Sequence, residues 1–107
     1  MILSTTDVIQ GATVTEYMGI VTAEVVYGSN ALRDFFAGIR DIIGGRTAGY
    51  ERVFEKGQQE VIEELQRRAA RLGADGVIGI EVNTGTIRLD ETGVLLLITG
   101  TGTAIKL

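Results

Sequence analysis

The side chains that could do chemistry concentrate in one stretch, DFFAGIRDIIGGRTAGYE, which runs from Asp34 to Glu51. Within it, a double glycine at 44–45 precedes Arg46 and Thr47, and a long helix is predicted to start there. Free backbone N–H groups at a helix start, glycines that permit close approach and one positive charge are typical of an anion-binding site. The alternative interpretation is a tight connection between two helices, with Thr47 as the N-cap. A P-loop is excluded, because the Walker lysine and the preceding strand are both missing.

Carboxylates in the same stretch offer a second chemistry. Asp34 and Asp41 are seven residues apart, which places them on one helix face about 10 Å apart along the axis. Oxygen ligands of this kind suit a hard divalent cation such as Ca²⁺ or Mg²⁺. The spacing is too wide for one ion unless a third group or a second chain contributes. Arg33 and Arg40 repeat the same spacing, so ion pairing between helices or subunits is the alternative.

Composition excludes several classes of function. The 107 residues contain no cysteine and no histidine, and the net charge is −4. Thiolate catalysis, disulfides, Cys/His zinc sites and histidine acid–base chemistry are therefore ruled out. A negative net charge gives no support for nucleic acid as a partner. We expect a protein that is not an enzyme and that carries no identified cofactor, a divalent metal being the one cofactor left open.

Length and hydropathy indicate a single cytoplasmic domain. A chain of this length is expected to form one domain, residues 1–107. The first ten residues, MILSTTDVIQ, lack the basic start and apolar core of a secretory signal. The longest apolar run, Val94 to Ile98, is far short of the ~20 residues that a membrane span requires. No membrane partner is therefore predicted.

Hydrophobic periodicity predicts an α+β fold in which two helices pack on an antiparallel sheet of long strands. The order is β-β-α-α-β-β. The predicted strands are Met1–Thr6, Ala12–Tyr27, Val77–Leu89 and Val94–Leu107, and the predicted helices run from Ala31 to Ile43 and from near Thr47 to Gly73. The second helix has an apolar stripe with a 3.6-residue period. Its members are Tyr50, Phe54, Gly57, Val61, Leu65, Ala69 and Leu72.

Glycines inside these elements predict local features. Gly57 lies on the apolar stripe of a helix, where glycine is unfavourable, so we expect another backbone to approach it closely. Gly85 is expected to mark a bulge, because the apolar alternation changes phase there. Gly100 and Gly102 predict close packing or a bend in the last strand.

Strand length predicts self-association. The three long strands are each about twice the usual 5–6 residues, and their apolar residues fall on both faces. An antiparallel sheet with one solvated face alternates more cleanly than this. Strands that extend beyond a small domain and are apolar on both faces are expected to pair with neighbouring copies. The sequence therefore predicts a homo-oligomer, with the chain itself as partner.

Several blocks of the chain resemble the YbjQ family, and the resemblance extends over essentially the whole sequence. The blocks are MILSTT, YMGIVTAEVVYGSN, LRDFFAGIRDIIGGRTAGYE, ARLGADGVIGIEV and GTAIKL. The resemblance implies a small subunit with two helices against an antiparallel sheet, similar to dodecin-type subunits. It also implies a ring, a pentamer, in which extra strands bridge neighbours. The family is described as heavy-metal-binding, and the positions matching its motif are Asp34, Arg40, Asp41, Arg46, Tyr50 and Glu51.

Two hypotheses of function follow. In the first, the protein is a non-enzymatic, ring-forming homo-oligomer with a small-ligand or anion site at a subunit boundary. The candidate ligand-binding residues are Arg40, Arg46, Thr47 and Tyr50. In the second, it is a metal-binding protein with carboxylate ligands, and the candidates are Asp34, Asp41 and Glu51.

Overall fold

A computed structural model describes residues 1–28, 46–89 and 93–107. Four strands and one helix occupy these ranges: β1 (Ile2–Leu3), β2 (Glu16–Tyr27), α1 (Arg46–Arg71), β3 (Gly76–Leu89) and β4 (Gly93–Lys106). The strands form one sheet in the order β1-β3-β4-β2. The core lies between α1 and one face of this sheet. The α+β class and the three long strands are therefore confirmed, whereas the predicted helix from Ala31 to Ile43 lies outside the described residues. The likeness to dodecin-type subunits stays a prediction.

The sheet is mixed, so the prediction of a purely antiparallel sheet was wrong. β3 and β2 each pair antiparallel with β4, but β1 pairs in parallel with the first two residues of β3. The predicted first strand also shortens to two residues. β1 and β2 run in the same direction at opposite edges of the sheet, so residues 4–15 must return across its end. Because these residues cross the end of the sheet, only the residues before them, Ile2 and Leu3, pair with β3.

The apolar face of α1 follows a strict four-residue repeat. Its buried positions are Val53, Gly57, Val61, Leu65 and Ala69. The predicted stripe is confirmed at four of these positions, but it missed Val53 and wrongly included Leu72, which is 48 % exposed. The helix ends at Arg71, and Gly73 follows with a positive φ of 81°. A glycine in this conformation is the usual end of a helix, which confirms the predicted C-terminal boundary.

Three glycines permit close packing in the core, two of them between α1 and β4 and the third, Gly102, between β4 and β3. A Cβ atom at Gly100 would overlap Cγ1 of Val61, and one at Gly102 would crowd Cγ1 of Val77. The close packing predicted for the last strand is therefore confirmed. At Gly57 the prediction was wrong in one respect, because the neighbour is the side chain of Ile98 and not a backbone. The glycine makes room for a large aliphatic side chain on the central strand.

Two irregularities change the faces of the strands. The bulge in β3 lies between Ile78 and Glu81, where Gly79 has a φ of 60°, and not at Gly85, which pairs regularly with Leu97. Two features explain why the bulge lies at Gly79. A positive φ is accessible to glycine at little cost, and the N–H of Gly79 donates to the Thr6 carbonyl. In β2 the register shifts between Tyr17 and Gly19. Tyr17 therefore lies on the opposite face from Val21, although a regular strand places residues four apart on the same face.

Substituting Gly100 by alanine should lower the free energy of unfolding by about 1–3 kcal/mol. The added methyl group meets Val61, which is fully buried and β-branched and so has little freedom to move. Gly85→Ala is the matched control, since a Cβ atom there meets nothing within 4 Å. Urea unfolding measures both variants. Equal stability of the two variants would contradict the close contact.

Candidate functional site

The structure places part of the predicted anion site at the beginning of α1. The helix starts at Arg46, so Arg46, Thr47 and Tyr50 belong to its first turns, and its first turn contains no acidic residue. Thr47 is inside the helix and not at its N-cap, whereas the connection between the two predicted helices lies outside the described residues. The unsatisfied N–H groups of a helix start and its partial positive charge favour an anion there. This backbone arrangement can attract a negatively charged ligand.

The remaining predicted site residues are placed less completely. Glu51 is exposed on α1, one residue after Tyr50. Asp34, Arg40 and Asp41 lie outside the described residues. The structure therefore places Arg46, Thr47, Tyr50 and Glu51 on one helix.

A shallow polar groove runs along the exposed side of α1. Its volume is about 660 Å³. The residues that line it are Glu55, Gln58, Gln59, Ile62, Glu63 and Gln66. One internal hydrogen bond crosses it, from Gln59 Nε2 to Glu63 Oε1 at 3.4 Å. Amide and carboxylate groups along one helix face are what a solvated helix presents, and the groove has no buried polar group that points to a ligand.

A tyrosine–carboxylate pair lies at the edge of the core. The Tyr27 hydroxyl donates a hydrogen bond to Glu60 Oε2 at 3.1 Å. Burial of the ring, followed by the hydrogen bond and negative charge of Glu60, raises the pKa of Tyr27 from 10.0 to about 12. The ring also packs beside Gly57, 3.1 Å from where a Cβ atom would lie. The pair ties the end of β2 to the middle of α1.

An ion-pair network connects the C-terminal part of α1 to β2. Glu64 pairs with Arg67 at 2.7 Å and with Arg68 at 3.2 Å. These hydrogen bonds, from Arg67 first and then Arg68, lower the pKa of the Glu64 carboxyl. Arg68 also donates through Nη1 to the backbone carbonyl of Thr22 on β2. The contact between Arg68 and β2 could not be predicted from the sequence, since helical spacing does not reveal that an arginine reaches a neighbouring strand.

The donor set does not fit a soft heavy metal. Such ions prefer thiolate, thioether or imidazole ligands, and the chain has neither cysteine nor histidine. Its two methionines offer the only sulfur, and Met18 is packed against the core. Among the described residues, no group of three or more Asp or Glu side chains is arranged to hold a metal ion.

The fold and these contacts define a class of small α+β protein in which one long helix packs on a four-stranded sheet with long strands. Within the described ranges, no helix combines the length and the apolar composition needed to cross a membrane. The chain belongs to the YbjQ family, whose model is described as "Putative heavy-metal-binding" and matches residues 1–107. The predicted family membership is thereby confirmed.

Relatives of the chain carry the family name UPF0145. It is 73 % identical over 107 residues to a UPF0145 protein of Nostoc punctiforme, covering 100 % of this chain and 99 % of that protein. It is 71 % identical over 107 residues to a UPF0145 protein of Picosynechococcus, with the same coverage. A crystal structure of a DUF74-family protein of unknown function from Pediococcus pentosaceus is similar, with a TM-score of 0.69 and 21 % identity, covering 100 % of this chain and 97 % of that one. That likeness supports the fold.

The Tyr27 pair predicts a specific alkaline sensitivity. The pKa of Tyr27 is higher in the folded state than in the unfolded state. The contribution of the protonated Tyr27 hydroxyl to stability is therefore complete below about pH 10 and is lost as the pH rises through about 12. The wild-type protein should therefore lose free energy of unfolding in this window, and Tyr27→Phe should lack that component. Urea unfolding at a series of pH values measures it. Tyr17→Phe, at a tyrosine that is 70 % exposed, is the control and should behave as wild type.

Proposed function

We propose that this protein is a non-enzymatic homo-oligomer of the cytoplasm that closes into a ring, a pentamer as the family resemblance implies, and binds a small anionic ligand at a subunit boundary. The observation that carries the proposal is the unpaired outer edge of the sheet. In the part of the chain that the structure describes, no strand pairs with the outer side of β2. A twelve-residue strand with an open edge is a template for pairing with another chain.

Exposed apolar side chains on the far face of the sheet, opposite α1, support self-association. Val26 and Ile87 are 53 % and 47 % exposed, and each lies at an edge of the sheet that no strand in the described ranges covers. Single exposed apolar residues are ordinary, but apolar residues at two open edges of one sheet face are typical of a protein interface. A second copy of the chain is the simplest molecule that would cover them.

The beginning of α1 supports the ligand part of the proposal. Arg46 starts the helix, no acidic residue lies in the first turn, and a double glycine at 44–45 precedes it in the sequence. Together these features favour a phosphate or carboxylate group. Arg40, Thr47 and Tyr50 are the further residues we propose for this site.

Native mass spectrometry of the untagged protein tests the proposal in one spectrum. We expect a single closed oligomer, a pentamer, at micromolar concentration, together with binding of inorganic phosphate added as a probe. The reason is that no strand or helix within residues 1–28, 46–89 and 93–107 of one chain covers the open edge of β2 or the exposed apolar face. A monodisperse monomer would overturn the oligomeric function.

Arg46→Ala separates ligand binding from assembly. The variant should keep the oligomeric mass and lose phosphate binding, whereas Arg71→Ala, at an exposed arginine at the other end of α1, should retain it. If Arg46→Ala disrupts the oligomer, Arg46 holds subunits together and the ligand assignment is wrong.

Carboxylate-based cation binding is the second candidate, and it is favoured by the family's description. It would use Asp34, Asp41 and Glu51, with a second copy completing the ligand set. Equilibrium dialysis against Mg²⁺, Ca²⁺ and Zn²⁺ should then give stoichiometric binding that Asp41→Asn abolishes without loss of fold. Asp7→Asn, in the exposed amino-terminal segment, is the control. Absence of stoichiometric metal from the wild-type protein would exclude this candidate.

A further inference from the structure

The hydrogen bonds of β4 reveal which residues of its neighbours face outward. The Lys106 carbonyl accepts from Thr15 N at 2.8 Å on the β2 side, and the Ile105 carbonyl accepts from Asp75 N at 2.8 Å on the β3 side. Successive residues of an antiparallel strand turn their backbone groups to alternate sides. We applied this alternation along β4 and then used the residue pairs to transfer it to the neighbouring strands. It identifies the residues whose backbone N–H and C=O groups point away from β4. On β2 they are Thr22, Glu24 and Val26, and on β3 they are Val82, Thr84, Thr86 and Arg88.

The first half of the β2 edge is closed. A bulge interrupts the strand at Tyr17 and Gly19, where Gly19 has a φ of 114°. Further along, the outward carbonyl of Thr22 accepts a hydrogen bond from Arg68, which Glu64 holds in place. Bulges and charged side chains are devices that prevent strand addition at an edge. The open part of this edge therefore extends from Ala23 to Tyr27.

The first part of the β3 edge is closed as well. β1 pairs with its first two residues, and the following segment continues the cover. Ser4 donates to the Val77 carbonyl, and Gly79 and Ile80 donate to carbonyls of this amino-terminal segment. From Glu81 to Leu89, no strand in the described ranges pairs with the outer side of β3.

The two open edges lie at the same end of the sheet. Ile98 of β4 is opposite Val25 on one side and Thr84 on the other, so both open stretches lie at the same level. Val26 and Ile87 are exposed on the face turned away from α1, one at each open edge. Two strand spacings, about 9.6 Å, separate these edges within one chain. Val26 and Ile87 therefore cannot cover one another in a monomer.

We infer that the open edge of β2, Ala23–Tyr27, pairs in parallel with the open edge of β3, Glu81–Leu89, of a second copy of this chain. The direction is parallel because Val26 and Ile87 are exposed on the same face of the sheet, so that both copies turn this face to the same side, and because β2 and β3 both run antiparallel to β4. The contact places Val26 beside Ile87 of the second copy and pairs the outward backbone groups of both strands. Each copy then presents one edge of each kind, and a repeated contact of this type closes into a ring or grows into a filament. The inference rests on the proposed homo-oligomer and specifies its interface.

Val26→Lys tests the assignment, with native mass spectrometry of the full chain as the measurement. A lysine at this edge should reduce the oligomer to monomer. Ile20→Lys is the matched control and should assemble as wild type, because Ile20 lies on the same strand and face, is 78 % exposed, and belongs to the closed half. If wild type assembles and Val26→Lys assembles equally well, the edge assignment is wrong while the homo-oligomer stands. If the wild-type protein is a monomer, both the proposed homo-oligomer and the edge assignment are wrong.

Cross-linking provides a second test that does not depend on disrupting the assembly. The chain has no cysteine, so Val26→Cys combined with Ile87→Cys introduces the only thiols. A disulfide requires Cβ atoms about 3.5–4.5 Å apart, which the separation within one chain does not permit. Mild oxidation should therefore give a ladder of covalent multimers on a non-reducing gel. Ile20→Cys with Ile87→Cys should give none, and an assembled protein in which the first pair forms no ladder would overturn the inference.

Discussion

The direct packing of α1 on the central strand β4 is the contact on which the rest of this structure depends. Gly57 and Gly100 remove side-chain volume where helix and strand meet, so that Ile98 and Val61 fill the space. Protein interiors are close-packed, so a single added methyl group in such a contact lowers the stability of the fold. One helix can thereby bury apolar side chains of β2, β3 and β4 together. The same arrangement leaves the far face of the sheet without a helix in the described part of the chain.

Two contacts from α1 hold β2 in register beneath it. Tyr27 bonds to Glu60 in the middle of the helix, and Arg68, near the end of the helix, bonds to the Thr22 backbone. The second contact has a further consequence, because it occupies an outward carbonyl of an edge strand. Edge strands in soluble proteins are protected against unwanted pairing, and here protection covers one half of each edge. The open edges in the described ranges, Ala23–Tyr27 of β2 and Glu81–Leu89 of β3, lie at one end of the sheet.

The chemistry available to this member of the YbjQ family is that of oxygen and nitrogen donors. Without cysteine or histidine, it lacks the ligands by which proteins usually hold zinc, copper or softer ions. Recognition of any ligand must then use arginine, backbone N–H groups, hydroxyls or carboxylates. Such groups bind anions, or hard cations when several carboxylates converge.

Sequence periodicity determined the long helix, the three long strands and most of the buried face of α1, because those features depend on local spacing and on glycine's conformational range. It also determined, from residue types alone, that no thiolate or imidazole chemistry is available. Only the tertiary structure decided that β1 pairs in parallel, that the bulge lies at Gly79, and that Arg68 reaches Thr22. These features depend on which chain segments meet across long sequence separations. The bulge forms at Gly79 and not at Gly85, because the returning amino-terminal segment bonds to it there. Local sequence carries no information about such a partner.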